Sequence, residues 1–361
     1  MNTLAALAIL LAQAAGNAPD EPAADAKPTG ETRYSVSLAD EGAFAGGLRI
    51  PGPDKGNLLL VQPSFAYRRG DRWRVSTSLA LAAQTQGDTH ARLRVKELYA
   101  GYSEGDFDFS AGKRLVRWGT GYAFTPTGIL DPPRVATDPT DRLNLNEGRE
   151  MVKADWIRGS NDVTLAWASA GLVTEHRPGM RETFAVRYNV LSHGFDTSWI
   201  IARDRGGPTF AGANFTRVFG QAVEAHGEFA YRDGAAVLLG GKYTLRSGLT
   251  VVGEFYTPPN TAYYRPAGMP ATVGRQHYGF LRVSKSRLRE LPGWKEWDLA
   301  ASVVVNADDH SWIGVFDAER RFGNHVSAYA HALTPAGEQW RSQYGMLPYA
   351  ALVSVGLRYQ L

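Results

Sequence analysis

The sequence predicts an all-β chain closed into a transmembrane antiparallel β-barrel of about eighteen strands, with sixteen as the alternative count. Three observations carry that expectation. Apolar and polar residues alternate with period two along most of the 361 residues. Tight turns alternate with longer polar connections. Large aromatic residues gather at strand ends instead of strand centres, where a dry core would need them.

The alternation is clearest in the last thirteen residues, Tyr349 to Leu361. Ala351, Val353, Val355, Leu357, Tyr359 and Leu361 share one parity, and Ser354, Gly356, Arg358 and Gln360 the other. Successive side chains of a strand point to opposite faces, so this segment has an oily side and a wet side. An unpaired amphipathic edge is an aggregation hazard, and pairing the last strand with the first removes it. The segment resembles the carboxyl-terminal strand of Gram-negative outer-membrane β-barrels, although that family usually ends in Phe and this sequence ends in Leu361.

Composition narrows the class. Gly 39, aromatics 11% and charged residues 21% suit a β-rich chain with many turns, and there is no cysteine. A formal net charge of +3 gives no support to a nucleic-acid partner. Beyond the amino terminus no apolar run approaches the length of about 17 residues that a spanning helix needs. Leu4 to Leu11 followed by Ala12-Gln13-Ala14 reads as a secretory signal over residues 1–15, with no Lys or Arg before it, which leaves an upstream start open. Residues 16–31, rich in Pro, Ala and acids, read as a disordered periplasmic spacer, and 32–361 as a single barrel domain.

Along the chain, Trp73 to Ala82, Val163 to Trp167, Phe184 to Val190, Val223 to Tyr231 and Trp297 to Val305 all alternate. Tight turns are expected at Arg69-Gly70-Asp71, Glu104-Gly105-Asp106, Gly159-Ser160-Asn161, Ser192-His193-Gly194, Gly220-Gln221, Ser247-Gly248 and Gly323-Asn324. Longer connections are expected near 40–56, 85–90, 119–149, 174–180, 203–208, 257–275, 306–310 and 335–348. Short periplasmic turns and longer external loops are the habit of bacterial outer-membrane barrels, which puts both termini on the periplasmic side. Tyr67, Trp73, Tyr102, Phe107, Trp156, Phe195, Phe219, Trp297, Phe322 and Tyr359 fall on the short-turn side as an interfacial girdle. Tyr231, Phe255, Trp312 and Trp118 are expected to begin the opposite one.

One strand breaks the rule. In Arg92 to Tyr102 strict alternation points Glu97 at lipid, so a bulge near Lys96–Glu97 is expected to return it to the lumen.

Residues 97–119 resemble a pattern of porin-like outer-membrane families, in which an acidic-x-aromatic strand turns into one ending in Gly, basic residues and Trp-Gly before a long loop. Glu97, Arg114, Trp118 and Gly119 are the matching positions. The resemblance implies a passive, substrate-selective or polysaccharide-related pore.

The next segment, Thr120 to Arg149, is long for a connection without structure of its own. Four prolines stiffen it, and Asp131, Arg134, Asp138, Asp141, Arg142, Glu147 and Arg149 charge it with both signs. It is expected either to fold inward as a constriction, facing luminal arginines across water, or to cap the barrel. A calcium site at Asp138–Asp141 lacks a rigid ligand series.

The wall residues assigned to the lumen are Arg74, Arg94, Lys96, Glu97, Arg114, Lys153, Arg187, Lys242 and Arg358, with Asp155, Glu224, His226, Glu228, Glu254 and Asp298. Their basic excess predicts a mild anion preference, unless the charges pair across strands and only solvate the wall. Glu224-x-His226-x-Glu228 puts three titratable groups on one face, a minor candidate for a metal or proton site.

No G-x-S-x-G, no H-E-x-x-H and no zinc-ligand pair is present. The expectation is a non-enzymatic porin without cofactor, passing small hydrophilic solutes. Its expected partners are outer-membrane lipid, a small solute and either copies of itself in a homotrimer or envelope-complex proteins. The alternatives are a non-conducting barrel of an envelope complex (polysaccharide export, surface assembly or motility) and an outer-membrane hydrolase.

Overall fold

The computed structural model describes residues 30–49, 52–86, 88–171, 180–259, 276–288 and 293–361. The expected signal segment lies outside the described residues.

Eighteen antiparallel strands form one closed sheet. In chain order they are β1 (Glu31–Gly46), β2 (Lys55–Arg69), β3 (Trp73–Gln86), β4 (Asp88–Glu104), β5 (Phe107–Arg114) and β6 (Arg149–Arg158). Then come β7 (Asn161–Ala168), β8 (Thr183–Ser192), β9 (Phe195–Asp204), β10 (Thr209–Phe219), β11 (Val223–Tyr231) and β12 (Ala235–Thr244). The last six are β13 (Thr250–Thr257), β14 (Tyr278–Lys285), β15 (Trp297–Asn306), β16 (Ser311–Phe322), β17 (Val326–Ala336) and β18 (Ala351–Gln360). The ring closes where β18 pairs with β1, from Ser37↔Gln360 to Gly46↔Ala351. The count is eighteen, not sixteen.

The oily parity faces outward. Leu93 and Ile201 are each 63% exposed, while their chain neighbours Arg94 and Ile200 point inward, half-buried and buried. A barrel in water would place these residues the other way; in hydrocarbon this arrangement keeps charge off the lipid face, where a midplane Arg or Lys costs about 2–4 kcal/mol. Trp73, Phe107, Phe195, Phe219 and Phe322 stand exposed at the short-turn rim, and Tyr231, Phe255 and Trp312 at the long-loop rim. Short turns close on glycines in the left-handed region, as at Gly105 (φ 56°) and Gly159 (φ 60°), where a Cβ would strain the backbone.

Several expectations are corrected. β1 continues to Gly46, so the first long connection is 47–54 and not 40–56. β3 and β4 pair out to Gln86↔Asp88, so no long loop joins them near 85–90. The long loop runs over 115–148, and Arg149 opens β6 instead of ending the loop. Trp118 takes no part in a girdle; it is 5% exposed, inside the barrel.

The bulge in β4 is present. Register passes from Ser78↔Glu97 to Leu79↔Val95, leaving Lys96 without a cross-strand partner. The extra residue lets Lys96 and Glu97 both turn inward between the exposed Leu93 and Leu98.

Candidate functional site

The loop 115–148 lies inside the barrel, and its entry and exit are tied to the wall. Glu97 Oε1 accepts the Leu115 N–H at 2.9 Å, and the Gly148 N–H donates to the Lys96 carbonyl at 2.9 Å. Lys113 Nζ donates to Glu147 at 2.9 Å, with Arg94 3.6 Å from the same carboxylate. The β4 bulge thus supplies both the carboxylate and the carbonyl that lead the chain inward.

The first half of the loop docks on β10, β11 and β13. Glu228, 3% exposed, accepts five hydrogen bonds: from Thr120 N (2.6 Å), Thr120 Oγ1 (3.2 Å), Gly121 N (2.8 Å), Thr127 N (2.8 Å) and Thr127 Oγ1 (2.6 Å). Glu254 accepts the N–H groups of Tyr122 and, at 2.9 Å, Ala123. His226 Nε2 lies 3.0 Å from the same carboxylate. Asn214 Nδ2 donates to the Trp118 carbonyl and to Thr127 Oγ1, both at 2.8 Å. A loop without regular structure has orphan N–H groups, and a carboxylate with four lone-pair sites is an efficient receiver for several of them.

Glycine is required where the loop meets the wall. A Cβ on Gly121 would lie 1.9 Å from the Phe124 carbonyl oxygen and 2.6 Å from a methyl of Leu238.

The loop also braces itself. Asp131 accepts the N–H groups of Trp118 (2.7 Å) and Gly119 (3.0 Å). Asp138 receives Arg142 N at 3.0 Å, and Asp141 receives Leu145 N (2.7 Å) and Asn146 N (3.0 Å). These aspartates are turn caps, and the described residues hold no group of three or more His, Asp or Glu side chains placed for a metal ion. Burial pushes the Asp131 carboxyl up to about 6. Burial also raises Asp138 and depresses Arg134.

The second half reaches another wall. Arg142 makes a two-pronged ion pair with Glu41 on β1, Nη2 donating to Oε1 at 3.0 Å and Nη1 to Oε2. Burial works against the Arg142 guanidinium, yet the hydrogen bonds and charge of Glu41 hold its pKa above the ordinary value. Gln62 on β2 donates to the carbonyls of Leu143 (3.1 Å) and Asn144 (2.8 Å), and Arg358 on β18 to that of Arg142. Seven strands separate β11 from β1 on one side of the ring and nine on the other. The loop therefore crosses the lumen.

No family model matches the sequence, and no curated protein does. Solved structures do. Pseudomonas aeruginosa OccK5 (OpdH) superposes with a TM-score of 0.61 at 10% identity, covering 92% of this chain and 98% of that one. Acinetobacter baumannii OccAB4 gives 0.60 at 7% identity, over 93% and 100%. Wzi of Escherichia coli, described as an outer-membrane protein involved in group 1 capsule assembly and a carbohydrate-binding β-barrel, gives 0.57 at 12% identity, over 90% and 83%. The fold is that of a porin-like outer-membrane β-barrel.

In this porin-like barrel the crossing loop borders two chambers. One, of about 800 Å³, lies on the long-loop side between loop residues 123–137 and the wall. Arg134, Arg149, Arg181 and Arg232 line it with Asp131, Asp204 and Asp233. Phe124 stacks on Tyr256 there with ring centres 4.7 Å apart. The other, of about 570 Å³, lies on the short-turn side against Tyr122 and 139–142.

The assigned wall residues all face inward, and most are neutralised. Arg74 pairs with Asp108 (2.5 Å), Arg187 with Asp162 (2.6 Å), Lys242 with Glu224 (2.6 Å) and Arg358 with Glu319 (3.5 Å). Lys153 pairs with Asp155, and Asp298 with Arg321. Arg114 donates to Ser110 at 2.8 Å and sits over the Tyr99 ring. Arg149 donates to the Arg181 carbonyl at 2.6 Å. Where the loop touches the wall it meets carboxylates directly, and also Lys113, Lys242 and Arg358. Glu224, His226 and Glu228 act together, but as the loop's dock: Glu224 receives the Tyr122 hydroxyl at 3.1 Å.

Sequence reasoning missed Glu41, Gln62 and Asn214. Only their inward parity marks them, and Glu41 fell in a segment expected to be a loop.

Proposed function

We propose that the chain is an outer-membrane channel of porin type, giving passive passage to small hydrophilic solutes around an internal loop that narrows the lumen. The observation that carries this reading is the loop's path from β11 to β1, with a chamber on either side. Charged walls with a narrow gap between them select by size and charge. Four arginines against three aspartates in the long-loop chamber support a mild anion preference. The short-turn rim, where β1 begins and β18 ends, is assigned to the periplasm by the barrel habit of short turns inside and long loops outside. No catalytic group is assigned.

The decisive experiment is reconstitution in liposomes loaded with impermeant sugar, followed by isosmotic exchange into small solutes of either charge. Swelling that is faster for small anions than for matched cations supports the reading. Absence of swelling for every solute contradicts it.

A second reading has a specific observation in its favour. The loop is anchored on two well-separated walls, and Phe124, Tyr256 and Tyr278 form an aromatic floor suited to a sugar ring. A closed barrel that binds carbohydrate, as Wzi is described, would use that floor. It would give no swelling and would bind oligosaccharide.

A further inference from the structure

The lipid-facing rim on the short-turn side repeats one arrangement twice. In four of the nine hairpins joined on the long-loop side, an aromatic sits opposite the first residue of the rising strand: Tyr102 opposite Trp73, Trp156 opposite Phe107, Tyr243 opposite Val223, and Tyr359 opposite Val326. In three hairpins that place is taken by arginine; in one of them Arg68 lies opposite Glu31, and in the other two the arginine lies opposite an aromatic ring. Arg217 on β10 lies opposite Phe195, and Arg320 on β16 lies opposite Trp297.

Each guanidinium lies near two rings, one across the strand pair and one on its own strand. Arg217 Cζ stands 4.3 Å from the ring centre of Phe195 and 4.8 Å from that of Phe219. Arg320 Cζ stands 5.8 Å from that of Trp297 and 4.9 Å from that of Phe322. In each case the second ring lies two residues further along the strand, in Arg217-Val218-Phe219 and Arg320-Arg321-Phe322. Among the described residues neither arginine has a carboxylate partner, whereas Glu319 and Arg321, beside Arg320, turn inward to Arg358 and Asp298.

We propose that Arg217 and Arg320 each bind the phosphate of a membrane phospholipid at the level of the girdle. A guanidinium seated on aromatic faces keeps its N–H edge free, and that edge matches a phosphate with two parallel hydrogen bonds. Girdle rings sit at headgroup depth, so the anion available there is the lipid's own phosphate, held at high local concentration. A cation at this level is far less costly to expose than one at the midplane, so the position tolerates an arginine that the strand centre would not. The rings supply a rigid seat, and ordering the side chain beforehand removes part of the entropy cost of binding. The proposal requires the barrel to lie in a bilayer, and it holds whether or not the lumen conducts.

The test is native mass spectrometry of the full barrel in an uncharged detergent, titrated with phosphatidylglycerol. Wild type is expected to retain two tightly held lipids. R217Q and R320Q are each expected to lose one, and R217Q/R320Q both. R203Q, at the opposite rim on β9, is expected to keep both. Heat-modifiable gel mobility verifies that each variant is folded, and the two single variants carry the test if the double variant fails to fold. Equal lipid retention by wild type and the arginine variants overturns the proposal. So does full displacement of the lipid by millimolar inorganic phosphate, which would make these general anion sites.

Discussion

Glu41 on β1 and Glu228 on β11 grip the two halves of one loop: the first takes the Arg142 guanidinium in two prongs, the second the N–H groups of Thr120, Gly121 and Thr127. Each carboxylate is nearly inaccessible to solvent. A buried charge of this kind is stable only while its partners stay in place, so loop and wall form one unit.

Glu228→Gln replaces one of the two acceptor oxygens with a donor, which then faces N–H groups. Loss of charge-assisted hydrogen bonds and creation of unmet donors are expected to cost on the order of 3 kcal/mol of loop docking. Thermal unfolding in detergent should fall, and single-channel current should become larger and noisier. An unchanged trace and melting temperature would refute the dock.

The far anchor is separable. E41Q and R142Q are each expected to loosen the 138–146 half of the loop while Glu228 holds the rest. A double-mutant cycle should give a coupling of about 1–3 kcal/mol, the mark of a partly buried two-pronged pair. Additive effects would mean the pair contributes nothing beyond its members.

Gly121→Ala tests close approach without touching charge. The added methyl meets backbone at 1.9 Å, which no side-chain rotation relieves. The variant should reproduce the E228Q channel phenotype, whereas Gly279→Ala, where nothing lies within 4 Å of the added methyl, should affect folding only slightly.

Asp131 predicts a pH effect of definite sign. Its carboxyl is pushed from the ordinary 3.8 up to about 6 by burial. The folded state therefore takes up a proton between those values that the unfolded chain does not, so this group's contribution rises as pH falls from about 6 toward 4 and is lost above 6. The melting temperature of wild type minus that of D131N should rise on acidification across that window. A flat difference would show that Asp131 does not titrate there.

The outward face has its own test. Leu239, in the middle of β12, is 56% exposed, and Leu239→Arg should weaken insertion into vesicles by about 2–4 kcal/mol. An equal change at buried, inward-facing Leu238 would act instead on the loop packed against it at Gly121.

Much of the fold was legible because a barrel writes its geometry in local parity: one residue faces oil, the next faces water. The β4 bulge could be foreseen for the same reason, since Glu97 on a lipid face would be costly. Strand β1 was harder. Asp40-Glu41-Gly42 carries turn residues, yet it stays extended because β2 and β18 pair with both of its edges. The site was legible in membership but not in pairing. Loop charges and wall carboxylates could be named, but which carboxylate receives which N–H depends on the loop's path in three dimensions. That path rests on glycine contacts and on neutral groups such as Asn214 and Gln62, which carry no charge signature.

The central claim is that the loop, and not the strand wall, sets the width of the passage. Single-channel conductance of wild type should be compared with that of a variant in which residues 120–146 are replaced by a short Gly-Ser link. The account predicts several-fold larger current in the shortened barrel and loss of charge selectivity. Identical conductance in the two, with both folded, would contradict it.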